Sequence, residues 1–128
     1  MKSFFSFAVV ICFATSCRSY VITTVEADLF EKTLEQTSNA QLVDVRTFKE
    51  FSEEHLPKAI LMDIKEVTFD SLIHQLDKNR PVFVYCRVGR RSLEAAKILE
   101  KNKFKMVYNL EGGIIAWKEK GKMVVTEE

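Results

Sequence analysis

The run Val82-Phe83-Val84-Tyr85 constrains the fold most, because it is apolar at successive positions and opens straight into a basic loop. A strand with one wet face alternates apolar and polar residues, whereas one apolar on both faces is built to lie between two covering layers. Four residues is strand length and well short of a buried helix. The chain of 128 residues, 47% of them apolar, is enough for one core and asks for no second one.

The rest of the sequence supplies those layers. Val21 to Thr24 is a β-branched run, and Thr24 is placed to cap a helix carrying Ala27, Phe30 and Leu34. Gln41 to Val45 reads as a second strand that stops at the polar pair Asp44 and Arg46. Thr47 to Glu54 suits a short helix capped by Thr47 and ended by Pro57, and Ala59 to Ile64 a further strand. Phe69, Leu72, Ile73 and Leu76 mark a helix stopped at Asn79 and Pro81. Beyond the central strand come a helix over Ser92 to Asn102 with Ser92 as its N-cap, and a strand over Met106 to Leu110. A Gly112-Gly113 turn leads to a last helix, Ile114 to Lys120, closed by Gly121. Alternating strands and helices predict an α/β fold, a mostly parallel sheet with helices on both faces and right-handed crossovers.

In such a sheet, ligands bind beyond the carboxyl ends of the strands. Cys86 falls at that edge, and Cys86-Arg87-Val88-Gly89-Arg90-Arg91 joins the buried strand to a helix. Loop amides and the positive end of the helix can then converge on one anion, with Gly89 free to take a positive φ. Three arginines add to the same field, so the loop favours thiolate over thiol and makes Cys86 a candidate nucleophile.

Four markers in order resemble the rhodanese family of sulfurtransferases. They are Asp44-Val45-Arg46; Glu50-Phe51 with His55-Leu56-Pro57 and Ala59; Cys86 through Ser92; and Leu110-Glu111-Gly112-Gly113 with Trp117. Glu54 and Lys58 stand where the family usually has glycine, a departure expected to alter local turn geometry. The resemblance implies a rhodanese-like domain over 22–121, with 122–128 as a tail. It implies that Cys86 accepts a sulfane sulfur and passes it on as a persulfide. Arg87, Val88, Gly89, Arg90, Arg91 and Ser92 would form the anion-binding loop, with Arg87 and Arg91 orienting an anionic donor such as thiosulfate and Arg90 turned to solvent. The implied acceptor is a thiol, cyanide or a thioredoxin-like protein.

Other residues have plainer expectations. Asp44 and Arg46 lie on the Cys86 edge and either support the pocket or pair structurally, with each other or with Glu50. His55 is expected to be structural, His74 exposed, Trp117 part of the core, and Lys101, Lys103 and Lys105 a solvated cluster. No cysteine and histidine spacing fits a zinc site, so neither metal nor other cofactor is expected. With 19 Lys+Arg against 18 Asp+Glu, charge names no nucleic-acid partner. Two other functions compete. A dual-specificity phosphatase places five residues between its cysteine and arginine, whereas Cys86 and Arg91 enclose four, as the numbering shows. A binding module would present a redox-sensitive or persulfide-carrying cysteine to a partner without catalysis.

The N-terminus reads as an address. Lys2, an apolar stretch from Phe4 to Phe13 and then Ala14-Thr15-Ser16-Cys17 outline a signal peptide over 1–16, too short to span a bilayer. Small residues before a cysteine resemble the lipobox of bacterial lipoproteins, with Ala14 in place of the usual leucine. That resemblance implies cleavage before Cys17, lipid on Cys17, a short tether over 17–21 and an exported domain held at a membrane facing the periplasm or cell exterior; the alternatives are ordinary secretion with cleavage nearby and an uncleaved hydrophobic N-terminus. Three cysteines, at 12, 17 and 86, cannot build a paired disulfide framework, and this processing would leave Cys86 as the one free thiol. Cys17→Ala is expected to release the protein from membranes in a fractionation assay, and a wild type found soluble would overturn the assignment.

Overall fold

The computed structural model of the protein describes residues 21–127, so the expected signal peptide, Cys12, Cys17 and all of the expected tether but Val21 lie outside the described residues. Five strands form one parallel sheet in the order β1-β5-β4-β2-β3: β1 (Ile22–Val25), β2 (Gln41–Asp44), β3 (Ile60–Leu61), β4 (Val82–Tyr85) and β5 (Val107–Leu110). The apolar run Val82–Tyr85 is the central strand, β4, and every residue of it is buried. Its side chains divide between two cores. Val82 and Val84 join Phe69, Ile73, Ala96 and Leu99 on one face, and Phe83 and Tyr85 join Phe30, Leu56, Ile114 and Trp117 on the other. Phe30 meets the rings of Phe83 and Trp117 edge-on, at centroid distances of 5.3 and 6.4 Å. Among the described residues no helix is long and apolar enough to cross a membrane.

The helices are α1 (Ala27–Gln36), α2 (Phe48–Glu53), α3 (Phe69–Leu72) with a 3₁₀ turn over Ile73–Gln75, α4 (Arg90–Lys101) and α5 (Gly113–Glu119). Four local expectations need correction. Thr24 lies inside β1, and α1 is capped by Glu26, whose carboxylate accepts the N–H groups of Asp28 and Leu29. The third strand is confined to Ile60–Leu61 at the sheet edge. The helix after Phe69 tightens to 3₁₀ because the Gln41 side chain accepts the Asp77 N–H at 2.8 Å and donates to Asp77 O, satisfying groups a longer helix would have used. Ser92 is not an N-cap, since α4 begins two residues earlier behind Gly89. Thr47 does cap α2, in a capping box with Glu50.

Of the two departures from family glycine, only one strains the backbone. Glu54 is extended, at φ −166°, whereas Lys58 after Pro57 is left-handed at φ 66°. A side chain there carries a steric cost that glycine avoids. Lys58→Gly is therefore expected to stabilise the domain by about 0.5–1 kcal/mol, read as a higher urea midpoint at unchanged slope.

Candidate active site

Cys86 follows the last residue of β4, and the loop after β2 lies beside it because Val45 N–H donates to Tyr85 O at 3.1 Å. The residue is 1% exposed. Its Sγ accepts the Gly89 N–H at 3.1 Å and the Ser92 hydroxyl at 3.4 Å. Ser92 thus serves the sulfur in place of the helix end. Gly89 has φ 99°, the left-handed value that turns the chain into α4 and brings its N–H round to the sulfur. Burial pushes the Cys86 thiol up. The Ser92 hydroxyl and the N–H groups of Ser92, Gly89 and Val88 outweigh it and hold the thiol below its ordinary value.

The loop is fastened from beneath by a segment that the sequence marks only as a turn. Ile114 N–H donates to Cys86 O at 2.9 Å, and Ile115 N–H to Arg87 O at 3.2 Å. Gly113 has φ 59°, and a Cβ there would lie 2.4 Å from Arg87 O and 2.5 Å from Cys86 O. Only glycine fits that approach. The readable trace of this role was the pair Gly112-Gly113 directly before an apolar helix.

The arginines divide into held and free. Arg91 Nη1 and Nη2 donate to the two carboxylate oxygens of Glu50 at 2.8 and 2.7 Å. This fork, with burial opposing it and Thr47 assisting, holds the Glu50 carboxyl down at about 2. Arg46 pairs with Asp44 rather than with Glu50, through Nε at 3.0 Å and Nη2 at 2.7 Å, and it also donates to Glu54 O at 2.7 Å. Both partners are buried. Arg87, Val88 and Arg90 are exposed, and neither Arg87 nor Arg90 makes an ion pair among the described residues. Arg46, Glu50, Glu54, Arg87, Ile114 and Lys118 line much of a small cleft of about 240 Å³ beside the loop. A larger groove of about 650 Å³ is lined by Leu34, Ala40, Leu42 and Trp117 among others and by no residue of the Cys86 loop.

The remaining sequence candidates fall outside the site. His55 is buried, stacked on Phe51 at 3.8 Å, with Nδ1 2.9 Å from Phe51 O. His74 is exposed, as are Lys101, Lys103 and Lys105. Trp117 is core, its Nε1 donating to Met123 O at 2.8 Å. Cys86 is the one cysteine among the described residues, and it is unpaired.

Because donors to the sulfur outweigh its burial, alkylation of Cys86 should rise with pH through a midpoint below the ordinary thiol value near 8.5. Ser92→Ala should move that midpoint upward. A wild-type midpoint at or above 8.5 would mean that the cradle does not hold the anion.

Comparison with known proteins agrees with the four markers. Residues 26–120 match the Rhodanese-like domain family. The chain is 31% identical over 108 residues to a sulfurtransferase of Allochromatium vinosum, covering 84% of this chain and 99% of that protein. It is 36% identical over 77 residues to a thiosulfate sulfurtransferase of Coxiella burnetii, covering 60% and 70%. Among solved structures, a rhodanese-like domain protein of Staphylococcus aureus superposes with a TM-score of 0.70 at 27% identity, over 82% of this chain and 98% of that one. A parallel sheet ending in a cradled thiol, a match over residues 26–120 and relatives named sulfurtransferases together place this chain in the rhodanese-like family.

Proposed function

We propose that the protein takes a sulfane sulfur from thiosulfate or a persulfide and delivers it to a thiol or cyanide through a persulfide on Cys86. The observation that carries this is the set of donors on one sulfur, the Gly89 N–H at 3.1 Å and the Ser92 hydroxyl at 3.4 Å. The Coxiella relative named for thiosulfate supports that donor. The Cys86 thiolate attacks the outer sulfur of thiosulfate. The S–S bond of the donor breaks, and sulfite leaves with its electron pair. An acceptor thiolate then attacks the terminal sulfur of the persulfide, the Sγ–S bond breaks, and Cys86 returns as a thiolate held by the same donors. Neither step needs an external oxidant.

Arg87, exposed beside the cleft and without an ion-pair partner among the described residues, orients the anionic donor. Arg91 acts differently from the free guanidinium its position suggests. Fixed on Glu50, it supplies a positive charge near Sγ and ties α2 to the loop. The address belongs to the same proposal: an exported domain, tethered at a membrane by lipid on Cys17.

Incubation with thiosulfate should add one sulfur atom to the intact mass of the wild type, and Cys86→Ser should abolish both this gain and transfer. Arg91→Ala should cost less than loss of Cys86, on the order of a hundredfold in rate. If wild type and Cys86→Ser were equally inactive with every sulfane donor yet bound the same protein, the domain would be a binding module.

A further inference from the structure

The end of the sheet opposite Cys86 gathers cations. All the strands are parallel, so the segments that lead into them meet at one end. Main-chain bonds hold those segments side by side. Val107 N–H donates to Val21 O at 2.7 Å, Val82 N–H to Met106 O at 3.0 Å, Gln41 N–H to Pro81 O at 3.0 Å and Lys105 N–H to Lys78 O at 3.1 Å. On them stand Lys78, Arg80, Lys101, Lys103 and Lys105, and Lys58, just before β3, lines the same groove as Ser38 and Ala40. None of these makes an ion pair among the described residues. Lys78 is half-buried, with Nζ 6.0 Å from the centre of the Phe104 ring, and the others are exposed.

Acids at this end are fewer. They are Glu35, Asp77 and Glu100, and Asp77 turns its carboxylate back onto the Asn79 N–H. One turn further back, α4 adds Lys97 and α1 adds Lys32, while Glu31 is paired with Lys122. The backbone at two of the cations is also unusual. Lys58 and Lys103, at φ 66° and 69°, are the residues other than glycine with left-handed backbone among those described. Glycine fits such a turn with less strain, yet a lysine stands at both. Met106, beside Lys105, adds an apolar side chain that is 42% exposed.

Where the chain enters the fold decides among occupants. It joins at Val21, bonded to the start of β5, so whatever precedes Val21 is attached at the cationic end. The stretch before it carries Arg18 and no acid. A lipid on Cys17 lies four residues from Val21, within about 14 Å at full extension. Nucleic acid or an acidic protein would match the charge, but the attachment point favours a bilayer.

We infer that this strand-entry end of the domain docks on an anionic lipid surface and turns Cys86 toward water. The inference rests on the lipid anchor of the proposed function. The lipid holds the chain at a membrane, and the cations select one orientation of the domain on it. Their attraction to head groups decays within the screening length, about 8 Å at physiological salt. Cys86 lies roughly 13 Å further out along β4 than Val82, beyond that range.

The test uses the full chain reconstituted into vesicles of phosphatidylcholine alone or with about one third phosphatidylglycerol. Amines are acetylated briefly with a membrane-impermeant ester, and the sites are read by peptide mass. Lys101, Lys103 and Lys105 should react at least about threefold slower on the anionic vesicles than on the neutral ones. Lys49 and Lys65, exposed at the Cys86 end, should change by less than about 1.5-fold. Salt at about 1 M, where the screening length falls to about 3 Å, should remove the difference. Lys101→Glu with Lys103→Glu and Lys105→Glu should abolish the protection of Lys58 at an unchanged urea midpoint. Equal reactivity of this end on both vesicles, protection of Lys49 and Lys65 instead, or protection that the triple variant keeps would overturn the surface. Stronger protection by polyuridylate than by anionic vesicles would assign the end to nucleic acid and overturn it too. A chain that leaves both kinds of vesicle in 1 M salt has no lipid anchor, which sinks the address itself. Binding of that chain to anionic vesicles at low salt, lost in the triple variant, would still bear out the surface, and absence of such binding would overturn it.

Discussion

The site depends on how closely the start of α5 approaches the end of β4. With no Cβ at Gly113, the N–H groups of Ile114 and Ile115 reach the carbonyls of Cys86 and Arg87. A planar trans peptide points its N–H opposite to its C=O, so fixing the Arg87 carbonyl toward α5 turns the Val88 N–H the other way. That N–H is one of the groups that lowers the Cys86 thiol. The cradle is therefore made by main chain, held from behind by main chain. Replacing any one side chain of the loop leaves most of it standing, whereas a side chain at Gly113 would push on the backbone that forms it.

From the other side the loop is braced by charge. Glu50 joins three things at once: it caps α2 through Thr47, forks onto Arg91 and so links α2 to the first turn of α4. The Asp44–Arg46 pair does similar work deeper in, connecting the end of β2 to the Glu54 carbonyl at the end of α2. A buried pair is weak evidence of net stability, because desolvation offsets much of the attraction. Its clearer contribution is geometric. The charges that are paired hold the frame, and Arg87 and Arg90 make no ion pair among the described residues.

This division explains which features were readable in the sequence. The sheet was legible because apolar runs such as 82–85 have one physical destination, and the cradle because a cysteine between such a run and Gly89 lies at a parallel-sheet edge. The loop arginines were legible as charge but not as partners. Whether Arg46 or Arg91 takes Glu50 depends on rotations of side chains brought together across 41 positions, and residue type alone does not encode it. Ser92 misled for a related reason: a serine before a helical pattern signals a cap, and here the nearby sulfur competes for the hydroxyl and wins. Gly113 was readable as a turn, yet the carbonyls it lets α5 approach come from positions 86 and 87, far upstream.

Loop size sets what the cradle can stabilise. A persulfide places its terminal sulfur about 2 Å beyond Sγ, one S–S bond length. The added atom is a single soft anion, and a ring closed over the four residues between Cys86 and Arg91 brings several N–H groups to one point rather than around a tetrahedron of oxygens. Sγ already draws on Gly89 and Ser92 before any sulfur is added, so a sulfur arriving beyond it enters a field that is already in place. Little reorganisation would then be needed between the thiolate and the persulfide of the proposed reaction. In the proposed reaction the barrier to transfer would be left mainly to the approach of donor and acceptor.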